Sequence, residues 1–253
     1  MSRRRLTGFA AISIALCLAM AVRGQTTTTG ADVAAPFGPP VDDQRTYIHG
    51  VFDELEGRLA GGDSALRWEG EAWVGTDTDR LWFKSEGEVD RHGTVSDGQQ
   101  EIFYDRPITT YFGVQAGARY DLDSRPGRGW AALGIEGLAP WFIKVSATGY
   151  ASDQGHFAAK VMASYDQLLT QRLILSPEAE LNFYTTNDPA RRIGSGLSDL
   201  DCGLRLRYEI TRKFAPYVGV TYERAFGQTA DFLHAAGDRD HDLRFTTGLR
   251  AWF

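Results

Sequence analysis

Two groups of side chains in this sequence have the types and spacing to hold a metal ion. The first is acidic. Glu69 and Glu71, Glu86 and Glu88, and Glu178 and Glu180 form three pairs, each pair separated by a single residue. The second is imidazole. The chain has five histidines, His49, His92, His156, His234 and His241, and near the C-terminus His234, Asp238, Asp240 and His241 fall close together. Imidazole suits borderline divalent ions, and carboxylate suits them to a lesser degree. Soft donors are scarce, with three methionines and two cysteines in the whole chain. Other chemistry is poorly supported. Ser195 and Ser198 lack the Gly-x-Ser-x-Gly elbow of an esterase. Asp238 to Asp242 lacks the glycine and the distal glutamate of a calcium loop. The glycines at 127, 129, 194 and 196 flank strands with no helix to follow, so they do not make a phosphate loop.

The pair spacing identifies the element that must carry the carboxylates. Side chains two apart share a face only on a strand, and period two dominates the chain from Tyr47 onward. Leu200, Cys202, Leu204, Leu206, Tyr208 and Ile210 alternate with Asp201, Gly203, Arg205, Arg207 and Glu209. Leu243, Phe245, Thr247, Leu249, Ala251 and Phe253 alternate in the same way with Arg244, Thr246, Gly248, Arg250 and Trp252. A helix would scatter these charges around its axis. Such segments number about twelve, at roughly 47–59, 65–76, 80–91, 99–106, 110–123, 129–138, 141–152, 156–168, 172–185, 197–210, 215–227 and 241–253.

Strands of about ten residues in even number, joined alternately by short and longer links, fit an antiparallel transmembrane β-barrel with short periplasmic turns and longer outer loops. The longer links include His92 to Gly98, Thr186 to Gly196 and Gln228 to Asp240. Aromatic residues gather near the expected strand ends. Trp73, Trp82, Tyr111, Trp141, Tyr165, Tyr208, Tyr217 and Phe253 lie toward one side, and Tyr120, Trp130, Tyr150, Phe157, Phe183 and Phe226 toward the other. Two girdles of this kind belong at lipid interfaces. Period two alone also fits a soluble sandwich or lipocalin-like barrel, which buries its apolar face instead.

The N-terminus reads as an export signal. Arg3, Arg4 and Arg5 precede an apolar run from Phe9 to Met20, and Ala19-Met20-Ala21 has the A-x-A pattern of a cleavage site, with Gly24 as the rival. The expected organisation is a signal peptide at 1–21, a disordered periplasmic tail at 22–46 rich in Thr, Ala and Pro, and a barrel at 47–253. Cleavage removes three arginines from a chain already at −6. It leaves one cysteine, Cys202, and one methionine, Met162. The acidic balance disfavours nucleic acid, and a single cysteine excludes an intrachain disulfide.

In a barrel of this kind one face of charge turns inward: Glu69, Glu71, Lys84, Glu86, Glu88, Asp90, Arg119, Lys160, Glu178, Glu180, Arg205, Arg207 and Glu209. Two readings stand. Glu69, Glu71, Glu86, Glu88, Glu178 and Glu180, with His49 near the periplasmic end, form a cation path or metal sites. Alternatively, carboxylates pair with Lys84, Arg119, Arg205 and Arg207 into an ionic filling, since charge in a narrow space must be paired. His234, Asp238, Asp240 and His241 are either an outer-loop metal cluster or a solvated polar loop.

Several ordered segments resemble the copper resistance protein B family of Gram-negative outer membranes. They are Ala65 to Gly75, Arg80 to Glu88, Gln115 to Asp121, Leu169 to Leu175, Ile193 to Leu200, Leu204 to Ile210 and Phe214 to Val220. The resemblance covers about Asp43 to Phe253. It implies an outer-membrane copper-tolerance barrel that binds, sequesters or exports copper ions beside a periplasmic multicopper oxidase, with no organic cofactor and no catalytic residues. Many members carry a Met- and His-rich region before the barrel. Between Val22 and Thr46 this chain has neither residue, so a thioether-rich Cu(I) store is not expected here. The alternatives are a small general or cation-selective channel and, more remotely, a lipid-modifying outer-membrane enzyme.

Overall fold

The computed structural model describes residues 45–60, 63–122 and 127–253. The expected signal peptide and almost all of the expected tail lie outside them. The elements are β1 (Tyr47–Ala60), β2 (Asp63–Gly75), β3 (Arg80–Asp90), β4 (Val95–Pro107), β5 (Phe112–Asp121) and β6 (Arg128–Ala139), then β7 (Ile143–Ser152), β8 (Phe157–Ser164), β9 (Gln167–Leu168), β10 (Leu173–Tyr184), β11 (Gly196–Tyr208), β12 (Phe214–Ala225), helix α1 (Gly227–Ala236) and β13 (His241–Trp252). A single 3-10 turn at Pro140–Phe142 joins β6 to β7.

Each strand pairs antiparallel with its neighbours, and β13 returns to β1 from Val51↔Trp252 to Leu59↔Phe245. β8 and the two-residue β9 both pair with β10, so together they fill one position in the wall. The result is a closed barrel of twelve positions. Closure leaves no unpaired edge, which a strand structure needs in lipid.

The direction of the side chains decides between a soluble and a membrane barrel. Leu133 and Phe245 are 64% and 67% exposed on the outer surface, with Leu204, Leu206, Val218 and Leu243 exposed beside them. Glu56 and Arg58 are 0% and 1% exposed on the inner one. A soluble barrel buries the first set and exposes the second. Here a charged interior sits within an apolar wall, which is stable only where lipid replaces water outside. Both described chain ends lie at the end carrying the short turns, the periplasmic end by the convention of such barrels.

Three expectations change. β4 begins at Val95, not near 99, because a bulge between Glu86 and Glu88 lets Val95 reach Val89 and extends the hairpin. The link Gln228 to Asp240 is largely helix α1. It ends at Gly237 in the left-handed region, with the Gly237 and Asp238 N–H groups donating to the His234 and Leu233 carbonyls. The aromatic girdles are only partly lipid-facing. Tyr111, Trp141, Tyr208, Phe253, Tyr120 and Phe157 are exposed, but Trp130, Tyr150 and Tyr217 are each 4% exposed. Trp130 and Tyr150 pack with Phe103, Ala132 and Trp82 as an internal aromatic cluster. The side of the wall is set by odd or even position along the strand, and aromatic type does not override it.

Candidate functional site

The barrel interior divides into two regions. The outer half is filled by ion pairs. Arg58 on β1 lies 2.8 Å from Glu56, 2.8 Å from Glu223, 3.4 Å from Glu88, 3.6 Å from Asp201 and 3.8 Å from Glu54. Arg244 joins the same carboxylates, 2.8 Å from Glu88 and 3.5 Å from Glu223. One guanidinium among five carboxylates can be buried because its Nε and one terminal nitrogen donate to Glu56, Glu88 and Glu223, and strands from both ends of the chain supply the acids. Above this layer, Arg119 bonds Asp121 at 2.7 Å, and Arg191 and Arg128 tie Asp121 and Asp188 together. Asp188 thereby fastens the loop between β10 and β11 over the outer mouth. Burial pushes its carboxyl up, but the Arg128 hydrogen bond and charge outweigh that and hold it below the usual carboxylate range.

Beside these pairs a cavity of about 440 Å³ runs from Arg250, Asp166 and Lys144 on the periplasmic side up to Gln99 and Tyr150, and its acidic lining residues outnumber the basic ones. On its wall, one oxygen each from Glu54, Glu69 and Glu178 lie within 4.8 Å of one another. They come from β1, β2 and β10. Arg205 lies among them, paired with Glu54 and Glu56 and 3.7 Å from Glu178. Arg67 is 3.2 Å from Glu54 and 3.9 Å from Glu69. Met162 also lines the cavity, opposite Glu180 in the β8–β10 register.

The residues singled out in the sequence are distributed as follows. Glu69 and Glu178 converge with Glu54. Glu71 and Lys84 face each other in register on β2 and β3, and Lys84 bonds Glu136 at 2.6 Å. Glu86 and Glu180 both meet Lys160, at 2.5 and 3.5 Å. Glu88 belongs to the Arg58 layer. Arg207 bonds Asp166 at 3.1 Å. Asp90 accepts from the backbone N–H groups of His92 and Thr94, both at 2.8 Å, and so shapes the β3–β4 turn. Glu209 follows the end of β11, and its N–H donates to the Arg172 carbonyl. His49 stands at the periplasmic mouth, its ring centroid 6.2 Å from Trp73 and 5.8 Å from Trp252. It is five residues from Glu54 along β1, roughly 16 Å of strand, and joins no carboxylate of the triad.

At the outer end, Asp240 meets His241 Nδ1 at 2.9 Å and His234 Nε2 at 3.6 Å. Asp238 turns away to Arg192, at 2.6 Å. The hydrogen bond with His241 holds the Asp240 carboxyl below its usual range.

Glu54 is the site residue the sequence reading missed. A bulge between Phe52 and Glu54 interrupts the β1–β2 register. Asp53 and Glu54 then both reach the cavity, and simple alternation fails there. Leu55, Gly57 and Leu59 still alternate with Glu54, Glu56 and Arg58, so the signal is present from Glu54 to Leu59.

The family model described as "Copper resistance protein B precursor (CopB)" matches residues 46–253. A copper resistance protein B homolog of Pseudomonas syringae pv. tomato is 43% identical over 89% of this chain and 78% of its own length. Copper resistance protein B of Escherichia coli is 38% identical over 89% of this chain and 77% of its own. Among solved structures the NanC porin superposes with a TM-score of 0.53 at 10% identity, covering 78% of this chain and 98% of that one. The porin likeness concerns the fold alone.

Proposed function

The chain belongs to the copper resistance protein B family, and from that premise we propose that its barrel takes copper ions as cargo into the acidic half of the lumen and sequesters them there. Family membership carries the role in copper resistance and the place in the Gram-negative outer membrane. The observation that supports lumen binding is the convergence of Glu54, Glu69 and Glu178 within 4.8 Å on one cavity wall. Arg205 now supplies positive charge to two of them. An arriving cation takes over that charge, and the guanidinium keeps Glu56, to which it already donates at 3.1 and 3.2 Å.

Carboxylate donors with one nearby thioether favour Cu(II) over Cu(I). The packed outer half favours holding over free passage, so a static cation channel is the weaker reading. The role is non-enzymatic in this proposal. A periplasmic multicopper oxidase works beside the barrel, outer-membrane lipid surrounds it, and residues 1–21 direct its export.

Copper titration of the refolded barrel tests this, read by calorimetry and by metal content after desalting. Stoichiometric Cu(II) binding that falls at least tenfold in Glu69→Gln and Glu178→Gln is the expected result. Undiminished binding in both variants would move the site out of the triad. No binding under oxidising or reducing conditions would make the barrel a conduit or docking platform.

A further inference from the structure

We propose that His234, Asp240 and His241 form a second metal site, on the outer rim, for a divalent transition ion that prefers imidazole nitrogen. It shares no residue with the lumen and stands independently of the lumen reading.

Three elements bring the donors together. His234 lies in the last turn of α1, whose left-handed Gly237 cap turns the chain back at once. His241 is the first residue of β13. Asp240 sits between them, its carbonyl accepting from the Ala225 N–H at 2.7 Å, which fixes the backbone against β12. The histidines are seven residues apart in sequence and share a single carboxylate oxygen, at 2.9 and 3.6 Å.

Each spacing to the shared Asp240 oxygen is close to that between neighbouring ligands on one ion, while the two imidazole nitrogens do not yet lie within 4.8 Å of each other. With metal–donor bonds of about 2.0–2.1 Å, adjacent donors stand about 2.9 Å apart at right angles and about 3.3 Å apart in a tetrahedron. An ion taking the place of the His241–Asp240 hydrogen bond therefore needs the His234 and His241 rings to rotate toward each other. Both imidazoles have room for this, being 57% and 60% exposed. Two imidazoles and one carboxylate with positions left for water select Cu(II), Zn(II) or Ni(II) over Mg(II) and Ca(II).

The surrounding charge permits this. Asp238, the other nearby acid, is satisfied by Arg192. Arg224, the register partner of His241, rests its guanidinium over the Phe226 ring, 5.4 Å from the centroid. The site faces the outer solvent beside the lumen mouth, where an ion is held without entering the barrel.

The test is electron paramagnetic resonance of the purified full-length barrel with Cu(II) chloride. The wild type should show hyperfine coupling to imidazole nitrogen. His234→Ala and His241→Ala should each weaken this signal's affinity at least tenfold, and Asp240→Asn should weaken it less. Glu69→Gln should leave it unchanged, so loss of lumen binding and loss of this site are read separately. Heat-modifiable electrophoretic mobility confirms that each variant folds. His234 is on an exposed helix face, so its variant decides the matter even if the β13 variant is damaged. A nitrogen signal unaffected by His234→Ala, or no nitrogen signal in the wild type, would overturn the proposal.

Discussion

Lys160 on β8 reaches Glu86 on β3, 2.5 Å from Nζ to Oε1, and so closes an ion pair between opposite walls of the barrel. Five strand positions separate the two residues around the wall. Their meeting means that the lumen at this level is no wider than two extended side chains.

The pair should therefore be energetically coupled. Lys160 and Glu86 are 11% and 20% exposed, so solvent screening is partial. Lys160→Met takes from Glu86 and Glu180 the cation they share and should destabilise the barrel by about 1–3 kcal/mol, below the figure for a fully buried pair. The double variant Lys160→Met, Glu86→Met should recover about half of the loss. Urea unfolding of the four proteins in detergent measures the coupling. Additive losses would mean that the two side chains do not interact in solution.

The strand walls were largely legible in the sequence, and the interior only in part. β11 could be read residue by residue because Leu200 to Tyr208 alternates without a break. β1 could not, because the bulge at Asp53 places two acids in succession on the cavity side and hides Glu54, the third member of the triad. Helix α1 has ten residues, too few for its period to stand out from a polar loop. Trp130 was assigned to a lipid girdle by its chemistry, yet packs inside against Tyr150 at 6.5 Å. Which ion pairs form across the lumen depends on wall curvature, and sequence periodicity does not encode that.

The outward apolar face carries its own prediction. Leu133 sits in the middle of β6 at 64% exposure. On a water-exposed surface Leu133→Arg would change stability by about 0.5 kcal/mol or less. Facing the bilayer core it should cost about 2–4 kcal/mol. Unfolding titrations in lipid vesicles separate the two. A negligible loss would place this face in water.

The ion-pair layer around Arg58 should make the barrel a poor conductor. Planar-bilayer recording is expected to give a single-channel conductance well below that of porins with 16–18 strands, whose lumens are wide and aqueous. Arg58→Ala strips the shared cation from Glu54, Glu56, Glu88, Asp201 and Glu223. Repulsion should then loosen the layer, raising conductance and cation selectivity together. High conductance in the wild type would show that the outer half opens in a bilayer.

Acid should release the loop over the outer mouth. The Asp188 carboxyl accepts from Arg128 at 2.7 Å and has a folded pKa below its unfolded one. A depressed carboxyl stabilises the folded loop fully above the unfolded value, about 3.9. That contribution fades as pH falls through the folded value. Residues 185–195 should thus resist protease and hydrogen exchange at neutral pH and lose protection below about pH 4. The barrel strands, each protected by neighbours on both sides, should hold at that pH. Asp188→Asn should expose the same loop already at pH 7 and flatten its pH dependence. If protection in the wild type stays constant from pH 7 to pH 3, the Arg128–Asp188 pair does not hold the loop.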